Sequence, residues 1–337
     1  MRDIALAFDI GGTELRAALV DDGGQLLSFA SAPTPARDGP AAVIGEIELL
    51  AGKVREGAPG AKPVGIGIGA PGPLDPRAGL VIDPPTLSGW KNVPLAAILG
   101  ERFGLPVEIE NDANAAALGE WRFGAGRGAS SMVFVTVSTG IGGGIIADGR
   151  LLHGRRGLAG EIGHMTITDQ SEPCFCGSTG CFEAVASGTA LGRRAARMTS
   201  PGDKSRLRLL SGEREITGRH VIEAAEAGDA LALQLVEDEA RLLGIGFTNL
   251  LHLFSPDIIV MGGGISAGFH LMKAGIERTM EARAMPPYRH TPVLPAMLGR
   301  QAGLVGAASL VFQNDRASAR IGKEPVSPTG RKEAGHG

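Results

Sequence analysis

The sequence predicts an α/β protein with two lobes around a cleft, in which a similar structural unit occurs twice. An apolar strand, a glycine-rich corner, a second strand and a Gly turn occur at residues 4–24 and again at residues 132–149. A length of 337 residues also favours two lobes over a single core. The 52 glycines have no collagen-like period, which indicates many tight turns close to ligands.

We expect the two lobes to meet near residue 118. Residues 1–118 would form a small N-terminal lobe, completed by an apolar helix at residues 303–313. Residues 119–302 would form the large lobe. From residue 314 the chain is polar and contains Pro and Gly, so residues 314–337 are expected to be a disordered tail.

The composition excludes several classes of partner. The 33 basic side chains nearly balance the 36 acidic ones, which gives no electrostatic case for nucleic acid or an anionic membrane. No apolar run is long enough to span a bilayer, and no signal peptide precedes the first strand. The three cysteines suit a reducing compartment, so we expect a soluble cytoplasmic protein.

The first glycine corner, Asp9–Thr13, lies between apolar strands at residues 4–8 and 15–20. Gly11, Gly12 and Thr13 leave backbone N–H groups uncovered, which is an arrangement that suits phosphate oxygens. Asp9, at the strand end, would face any metal ion carried by that phosphate. The alternative is an ordinary Gly hairpin.

The second glycine corner, Ser138–Gly144, follows a strand at residues 132–137, and a strand resumes at 145–147. With Thr139 and Gly140 it matches the first corner, and two such corners across a cleft would clamp a nucleotide. A third corner follows the strand 257–261, where Gly263 and Gly264 would pass close beneath a base or ribose. The pattern GxxxxGK[ST] is absent, so a P-loop NTPase is not expected.

The segment Gly67–Gly72 matches GxGxxG after a strand at residues 64–68. Pro71 and Pro73 stand where the pyrophosphate-binding helix of a dinucleotide fold would begin, and proline cannot donate the N–H groups needed there. We therefore interpret the segment as a Pro-Gly loop that ends a strand.

Polar residues also follow the predicted strand 107–110. Asn111 and Asp112 stand between this strand and a helix at residues 115–121, a position that places a carboxylate at the mouth of an α/β cleft. The alternative is simple capping of the helix by Asn or Asp.

The remaining elements are predicted from apolar periodicity. Helices are expected at residues 95–103, at 189–199, which is basic, and at 221–253, with a break at Gly244–Gly246. Residues 200–217 are polar and expected to be exposed.

All three cysteines lie in one stretch, residues 161–183, called here the cysteine loop. One imidazole and three thiolates make a closed, soft, tetrahedral set for zinc, with the ligands His164, Cys174, Cys176 and Cys181. A closed set leaves no position for water, so the zinc would be structural. The alternative is three unrelated thiols and a surface histidine.

Glu161 and Glu183 flank this set, and a metal would fix their backbones. Two such carboxylates could hold a polyhydroxylated molecule, and His164 could join them through its second ring nitrogen. The alternative for each Glu is a solvated surface charge.

Together these motifs resemble the ROK family of bacterial sugar kinases and regulators, and the resemblance covers about residues 4–313. It rests on five motifs in order: Asp9–Thr13, Glu110–Asn114, Ser138–Gly144, Glu161–His164 and the cysteine cluster with Glu183. It implies the duplicated actin-like (hexokinase/Hsp70-type) ATPase fold, ATP with magnesium as the donor, and a homodimer or dimer of dimers.

The resemblance also implies residue roles. Asp112 would be the catalytic base that takes a proton from the sugar hydroxyl. The other sugar contacts would come from Asn111, Glu161, His164, Glu183 and the loop at Gly72. The ATP phosphates would lie against Asp9, Gly11, Gly12, Thr13, Thr139 and Gly140, and the adenosine against Gly263 and Gly264. A branched residue at Gly140 should then raise the KM for ATP far more than that for sugar.

The favoured activity is phosphorylation of glucose, with N-acetylmannosamine, mannose and fructose as alternative substrates. Thr86 stands where many family glucokinases carry Asn, and Glu14 stands where Lys or an apolar residue is more familiar. One rival function is a sugar-sensing repressor, which carries a helix-turn-helix region of roughly seventy residues before the first corner. Only eight residues precede Asp9, so no DNA binding is expected. Another rival is a non-catalytic sugar-binding protein.

Overall fold

Two five-stranded mixed sheets with the same strand arrangement form the framework of the protein. The computed structural model describes residues 2–155, 157–169, 171–200 and 205–321. The first sheet has the order β3-β2-β1-β4-β7, with β1 Ile4–Ile10, β2 Glu14–Asp21, β3 Leu26–Pro33, β4 Pro63–Ala70 and β7 Val107–Asn111. A separate ribbon pairs β5 Leu74–Asp75 with β6 Leu80–Val81.

The second sheet repeats this order as β10-β9-β8-β11-β12, with β8 Met132–Val137, β9 Ile141–Ala147, β10 Arg150–Leu151, β11 Ile258–Gly262 and β12 Val293–Pro295. In each sheet an antiparallel hairpin, β1/β2 or β8/β9, lies beside two parallel strands. The predicted duplication is therefore present in strand order and strand direction.

The described helices are α1 Pro40–Gly57, α2 Leu95–Phe103, α3 Asp112–Phe123, α4 Phe182–Ala186, α5 Gly188–Arg197, α6 Arg206–Ser211, α7 Gly218–Glu226, α8 Ala230–Phe254, α9 Phe269–Arg283 and α10 Ala302–Ile321. Short 3-10 turns occur at Ile162–His164, Gly264–Gly268, Pro286–Tyr288 and Gly299–Gln301. No helix in the described ranges has both the length and the apolar character needed to cross a bilayer.

The alternation of side chains along β1 explains how the first sheet is covered on both faces. Leu6 and Phe8 belong to the core that includes the buried stripe of α1, which is formed by Val43, Ile47, Leu50 and Val54. Ala5 and Ala7 face the other way and pack with α10. Because these residues are small, α10 lies close to the sheet.

The second sheet is covered in the same manner. Val133 and Val135 pack in the core that contains α8, whereas Met132 and Phe134 pack with Ala117 of α3. Helix α3 also contacts β4 and β7 of the first sheet, so it lies between the two sheets. The boundary predicted at residue 118 falls inside this continuous helix.

Glu120, near the end of α3, is fully buried. Its carboxylate accepts backbone N–H groups of Ala125 at 2.9 Å, Leu298 at 2.7 Å and Met297 at 3.1 Å. The last two residues belong to the segment that leads from β12 into α10. Glu120 therefore attaches this return connection to α3.

The predicted helix break at Gly244–Gly246 is wrong. Helix α8 continues through both glycines, and the break lies before Ala230, where Asp229 caps α8 by accepting the Ala232 N–H at 2.9 Å. A Cβ atom at Gly246 would lie 2.4 Å from the Phe182 ring. Glycine at this position serves close packing and does not end the helix.

Three other boundaries differ from the sequence predictions. Gly142–Gly144 belong to β9, so the second corner is reduced to Ser138–Gly140. Part of the segment 200–217 forms α6, in which Leu207 is fully buried. Helix α10 extends past the predicted end at residue 313 to Ile321, and the rest of the predicted tail, residues 322–337, lies outside the described residues.

Candidate active site

The first corner is a tight connection between β1 and β2. The Gly11 N–H donates to the Glu14 carbonyl at 3.0 Å, and a Cβ atom at Gly12 would lie 2.9 Å from the Thr86 Cβ. Asp9 is buried, and its Oδ2 accepts a hydrogen bond from Arg16 Nη2 at 2.6 Å. Burial raises the pKa of Asp9, and the Arg16 guanidinium opposes this shift.

Asn111 and Asp112 occupy the junction of β7 and α3. Asn111 Oδ1 accepts the N–H groups of Ala113 at 2.9 Å and Asn114 at 3.2 Å, so the capping interpretation applies to Asn111. Asp112 is the first residue of α3, which begins three residues earlier than predicted. Asn111 is thus the N-cap residue, whereas Asp112 lies within the first turn of the helix.

Asp112 has an unusual protonation behaviour. Burial, followed by the nearby negative charges of Asp9 and Glu161, raises the pKa of Asp112 to about 6, although the Ala113 N–H opposes the shift through a 2.8 Å hydrogen bond. Asp112 therefore lies within electrostatic range of both Asp9 of the first corner and Glu161 of the cysteine loop. A carboxylate with this pKa is a suitable general base near neutral pH.

The end of β4 lies directly beside these residues. A Cβ atom at Gly69 would lie 3.7 Å from the Asp112 Cα and 3.9 Å from Asp9 Oδ1, and one at Gly72 would lie 3.4 Å from Asn111 Nδ2. No helix follows this GxGxxG segment, because ribbon β5 begins at Leu74. Residues 67–70 of the segment are the end of β4, and Pro71 and Gly72 begin a loop beside Asn111, in agreement with the interpretation as a Pro-Gly loop that ends a strand.

The four predicted metal ligands lie together, with the ligand atoms of His164, Cys174, Cys176 and Cys181 all within 4.8 Å of one another. Cys176 Sγ and Cys181 Sγ are 3.7 Å apart, and His164 Nδ1 is 3.6 Å from Cys174 Sγ. Thiolates about 2.3 Å from one tetrahedral centre would be about 3.8 Å apart. The residues present therefore fit a zinc ion in number, chemistry and spacing.

The backbone of the cysteine loop explains why glycines occur within it. The Cys174 N–H donates to the Ser178 carbonyl at 2.9 Å, and the Gly177 N–H donates to the Cys174 carbonyl at 3.0 Å. Gly177 and Gly180 have φ angles of 90° and 68°, which residues with a Cβ atom rarely adopt. These two turns bring Cys176 and Cys181 to the same point.

The two ring nitrogens of His164 face different groups. Nδ1 faces the thiols, and Nε2 lies 3.9 Å from Glu161 Oε2. His164 therefore joins the cysteine cluster to Glu161, and Glu161 in turn lies near Asp112.

Glu183 connects the cysteine loop to the second corner. Its Oε2 accepts the Ile141 N–H at 2.9 Å, and a Cβ atom at Gly140 would lie 2.2 Å from the same oxygen. Gly140 therefore has no space for a side chain on the Glu183 side. The sequence offered no signal for this contact between residues 42 positions apart.

The third corner packs against the second. Gly263 has a φ angle of 85°, and a Cβ atom there would lie 2.3 Å from the Val137 carbonyl oxygen. Gly264 is more open, since its nearest neighbour is Ser138 Oγ at 3.8 Å from an added Cβ. Both corners can therefore contribute to one binding surface.

A cavity of about 710 Å³ opens at this surface. It is lined by Thr139 and Gly264, which were predicted to bind nucleotide, and by four arginines that were not: Arg193, Arg208, Arg214 and Arg219. Arg193 also donates to the Ala184 carbonyl at 3.1 Å, next to Glu183. Of these four, only Arg193 lies in residues 189–199, the segment that the sequence shows to be basic.

Comparison with known proteins identifies the family. The model of the ROK family matches residues 5–314. The chain belongs to the ROK family. It is 39% identical to a glucokinase of Halalkalibacterium halodurans over 315 residues, which are 92% of this chain and 95% of that protein.

A solved ROK family glucokinase from Streptomyces griseus, in complex with glucose and AMPPNP, has 38% identity and a TM-score of 0.80, covering 92% of this chain and 99% of that one. A xylose repressor of Caldicellulosiruptor bescii is 34% identical over 252 residues, 74% of this chain and 63% of that protein. The predicted family and the predicted duplicated actin-like fold are confirmed. The roles of individual site residues stay predictions.

Proposed function

We propose that this ROK protein is an ATP-dependent glucokinase that transfers the γ-phosphoryl group of ATP to a hydroxyl of glucose, forming glucose 6-phosphate and ADP. The observation that carries the proposal is the placement of Asp112 at the start of α3, beside the end of β4 and within electrostatic range of Asp9 and Glu161. Burial, together with these two charges, raises the pKa of Asp112 to about 6. The glucokinase relatives at 38–39% identity support glucose as the acceptor.

In the proposed reaction Asp112 acts as the general base. It accepts the proton of the attacking hydroxyl while that oxygen bonds to the γ-phosphorus, and the bond from phosphorus to the β–γ bridging oxygen breaks. At neutral pH a carboxyl with a pKa of about 6 is mostly ionised, yet it is more basic than an ordinary carboxylate. Phosphoryl transfer otherwise requires positioning and charge neutralisation.

The remaining sugar hydroxyls would be held by Asn111, Glu161, His164 and Glu183, beside the loop at Gly72. Because Asn111 Oδ1 caps α3, its amide NH₂ is left to donate to a sugar oxygen. Zinc bound by His164 Nδ1 and the three cysteines would hold the cysteine loop rigid. His164 Nε2 would then be oriented by the metal and available to the substrate.

The nucleotide would occupy the cavity beside the second and third corners. Thr139 and Gly264 line this cavity, and Gly140 and Gly263 are their neighbours in the sequence. The first corner would complete the phosphate site with Gly11, Gly12 and Thr13. Magnesium would enter as part of the ATP substrate, and Asp9 supplies a carboxylate on that side of the site.

Three broader features belong to the same proposal. A division into lobes at residues 1–118 and 119–302 is supported by the two sheets. A homodimer or dimer of dimers is expected by analogy with the family and would be checked by light scattering. A cytoplasmic location is expected because ATP is the donor and the three thiols suit a reducing compartment.

A coupled assay for ADP formation, with glucose, N-acetylmannosamine, mannose and fructose as acceptors, tests the proposal. We expect glucose to give the highest kcat/KM. A higher value for another sugar would replace glucose as the substrate. Sugar binding without ADP formation for any acceptor would favour a regulatory or purely sugar-binding protein.

A further inference from the structure

Glu110 is a buried carboxylate that immediately precedes Asn111 and Asp112. Its side chain is 1% exposed. Oε1 accepts the Asn111 backbone N–H at 2.8 Å and Asn114 Nδ2 at 3.0 Å. Because Asn111 and Asn114 flank Asp112, Glu110 determines the position of the backbone that carries the proposed base.

The other oxygen of Glu110 is held by a residue from the loop that follows the second sheet. His153 lies two residues after strand β10, and its Nε2 lies 2.6 Å from Glu110 Oε2. Glu110 belongs to β7, so this contact joins the first sheet to the loop after β10, next to Asn111 and Asp112. His153 was not among the predicted site residues.

We propose that His153 is a positioning residue for the proposed phosphorylation. Its protonated imidazole holds the Glu110 carboxylate, and Glu110 in turn keeps Asn111 and Asp112 at the positions from which they would contact the sugar. The proposal rests on the proposed function. His153 itself would touch neither sugar nor nucleotide. Its effect would pass through Glu110 to the first turn of α3.

The charges around His153 support its protonated form. The hydrogen bond with Glu110 raises the pKa of His153 above its ordinary value. Burial of the imidazole opposes this rise, and so, to a smaller extent, does the positive charge of Arg77, in the turn after β5. A raised pKa means that His153 keeps its proton to a higher pH than a free imidazole, and the ion pair is lost as the pH rises through the folded-state pKa. Loss of its charge leaves Glu110 buried with a weaker partner, which is costly.

Two ionisations should therefore limit the pH range in which the enzyme is active. Asp112 must lose its proton to act as base, so the rate falls as the pH decreases through about 6. His153 must keep its proton, so the rate falls again as the pH rises through the pKa of His153. The result is a bell-shaped profile whose two limbs belong to different residues.

The test measures kcat and the KM for glucose against pH in the wild type and in His153→Gln, His153→Ala and Glu110→Gln, together with thermal unfolding. The Gln side chain can still donate to Glu110 but does not titrate. We expect His153→Gln to keep the acid limb and lose the alkaline limb. We expect His153→Ala to lose about 10–100-fold in kcat/KM, because a displacement of about 1 Å at the reacting groups can cost about 10²-fold in rate.

His270→Gln is the matched control. His270 also faces a glutamate, Glu226 at 3.7 Å, but its side chain is 62% exposed and lies outside the proposed site. This variant should reproduce the wild-type profile. An alkaline limb that persists unchanged in His153→Gln, or a loss of thermal stability with no change in the profile, would refute the positioning role.

A second measurement does not depend on catalysis. NMR titration of the imidazole should give His153 a pKa above its ordinary value in the wild type and a lower pKa in Glu110→Gln. If the wild type phosphorylates no sugar, the proposed function fails, whereas an unchanged His153 pKa in Glu110→Gln refutes the ion pair itself. The two failures are therefore distinguishable.

Discussion

The two glycine corners have the same place in matching sheets but obtain their carboxylates in different ways. The first corner carries its own, Asp9, which is buried and paired with Arg16 at 2.6 Å. The second corner receives Glu183 from the cysteine loop, through a hydrogen bond to the Ile141 N–H. The duplicated unit thus differs between its two copies at the position where we propose that each contacts the ligand.

We therefore expect the two corners to affect different steps of the reaction. The first corner lies near Asp112, so we associate it with the proposed proton transfer. The second corner contacts a residue that we propose to bind sugar, so the sugar and nucleotide sites share one carboxylate there. Changes near the first corner should affect kcat, and changes near the second should affect binding of both substrates.

The largest effect on activity should come from Asp112→Asn, a change near the first corner. Removal of the base should reduce kcat by about 10²–10⁴, with glucose affinity by calorimetry nearly unchanged. The pKa of Asp112 is raised to about 6, so the cost of its ionisation to folding grows as the pH rises from the ordinary carboxyl pKa to about 6 and is fully present at pH 7. The variant should therefore unfold at the same temperature as the wild type or higher at pH 7. Equal kcat values at saturation would exclude Asp112 as the base.

A smaller effect should follow loss of the metal. Cys176→Ser replaces a thiolate with a poor ligand for zinc, which should loosen the loop that carries Glu161, His164 and Glu183. Loss of one charge-assisted hydrogen bond, about 1.5–3 kcal/mol, corresponds to about 10–100-fold weaker sugar binding.

Calorimetry of this variant with glucose and with an ATP analogue, alongside zinc analysis, tests the prediction. Binding of the analogue should weaken less than binding of glucose, because it keeps the first corner and the cavity. Wild-type glucose affinity in the zinc-free variant would mean that the loop is only a scaffold.

A pair of glycine substitutions tests whether the second corner affects the binding of both substrates. From the sequence, a side chain at Gly140 should raise mainly the KM for ATP. The structure changes this expectation, because a Cβ atom at Gly140 would lie 2.2 Å from Glu183 Oε2. Gly140→Ala should raise both KM values about tenfold, since about 1.4 kcal/mol corresponds to a factor of ten.

Gly264→Ala is the contrasting variant, because its nearest protein atom is 3.8 Å from an added Cβ. It should alter the KM for ATP alone. Steady-state kinetics with each substrate varied in turn separate the two cases. A Gly140→Ala enzyme with an unchanged KM for glucose would show that Glu183 does not link the sites.

The smallest effect should come from Glu14, the unfamiliar residue at the end of the first corner. It pairs with Arg300 at 2.5 Å, but the Arg300 side chain is 80% exposed, and such pairs contribute about 0–1 kcal/mol. Glu14→Gln should lower the unfolding temperature by no more than about 4 °C and leave kcat unchanged, as checked by calorimetry and the coupled assay. A large loss of kcat would assign Glu14 to the site.

The sequence predicted those parts of the site that depend on local spacing. The first corner, the Asn111–Asp112 junction and the four clustered ligands are each specified by residues within about twenty positions of one another. The contacts Glu183–Ile141 and His153–Glu110 join residues 42 and 43 positions apart. Neither residue type nor periodicity indicates such pairings, because tertiary folding alone brings them together.

The misplaced helix break has the same origin. Glycines in a helical pattern indicate a weak point when only local propensity is considered. In α8 they instead provide space for Phe182 and Thr279, which come from other parts of the chain. Leu207 was likewise predicted to be exposed because its neighbours are polar, although it is fully buried.

Helix α3 carries the proposed base at its first residue and the buried Glu120 eight residues later, about 12 Å along the axis at about 1.5 Å per residue. Glu120 binds the backbone of the chain that enters α10, so this end of α3 is held in place, and Asp112 lies at the opposite end. A tilt of about 10° about Glu120 would displace Asp112 by about 2 Å, and errors of about 1 Å can cost about 10²-fold in rate. Any motion of the lobes that tilts α3 would therefore move the proposed base and its neighbour Asn111, the N-cap of the same helix, together.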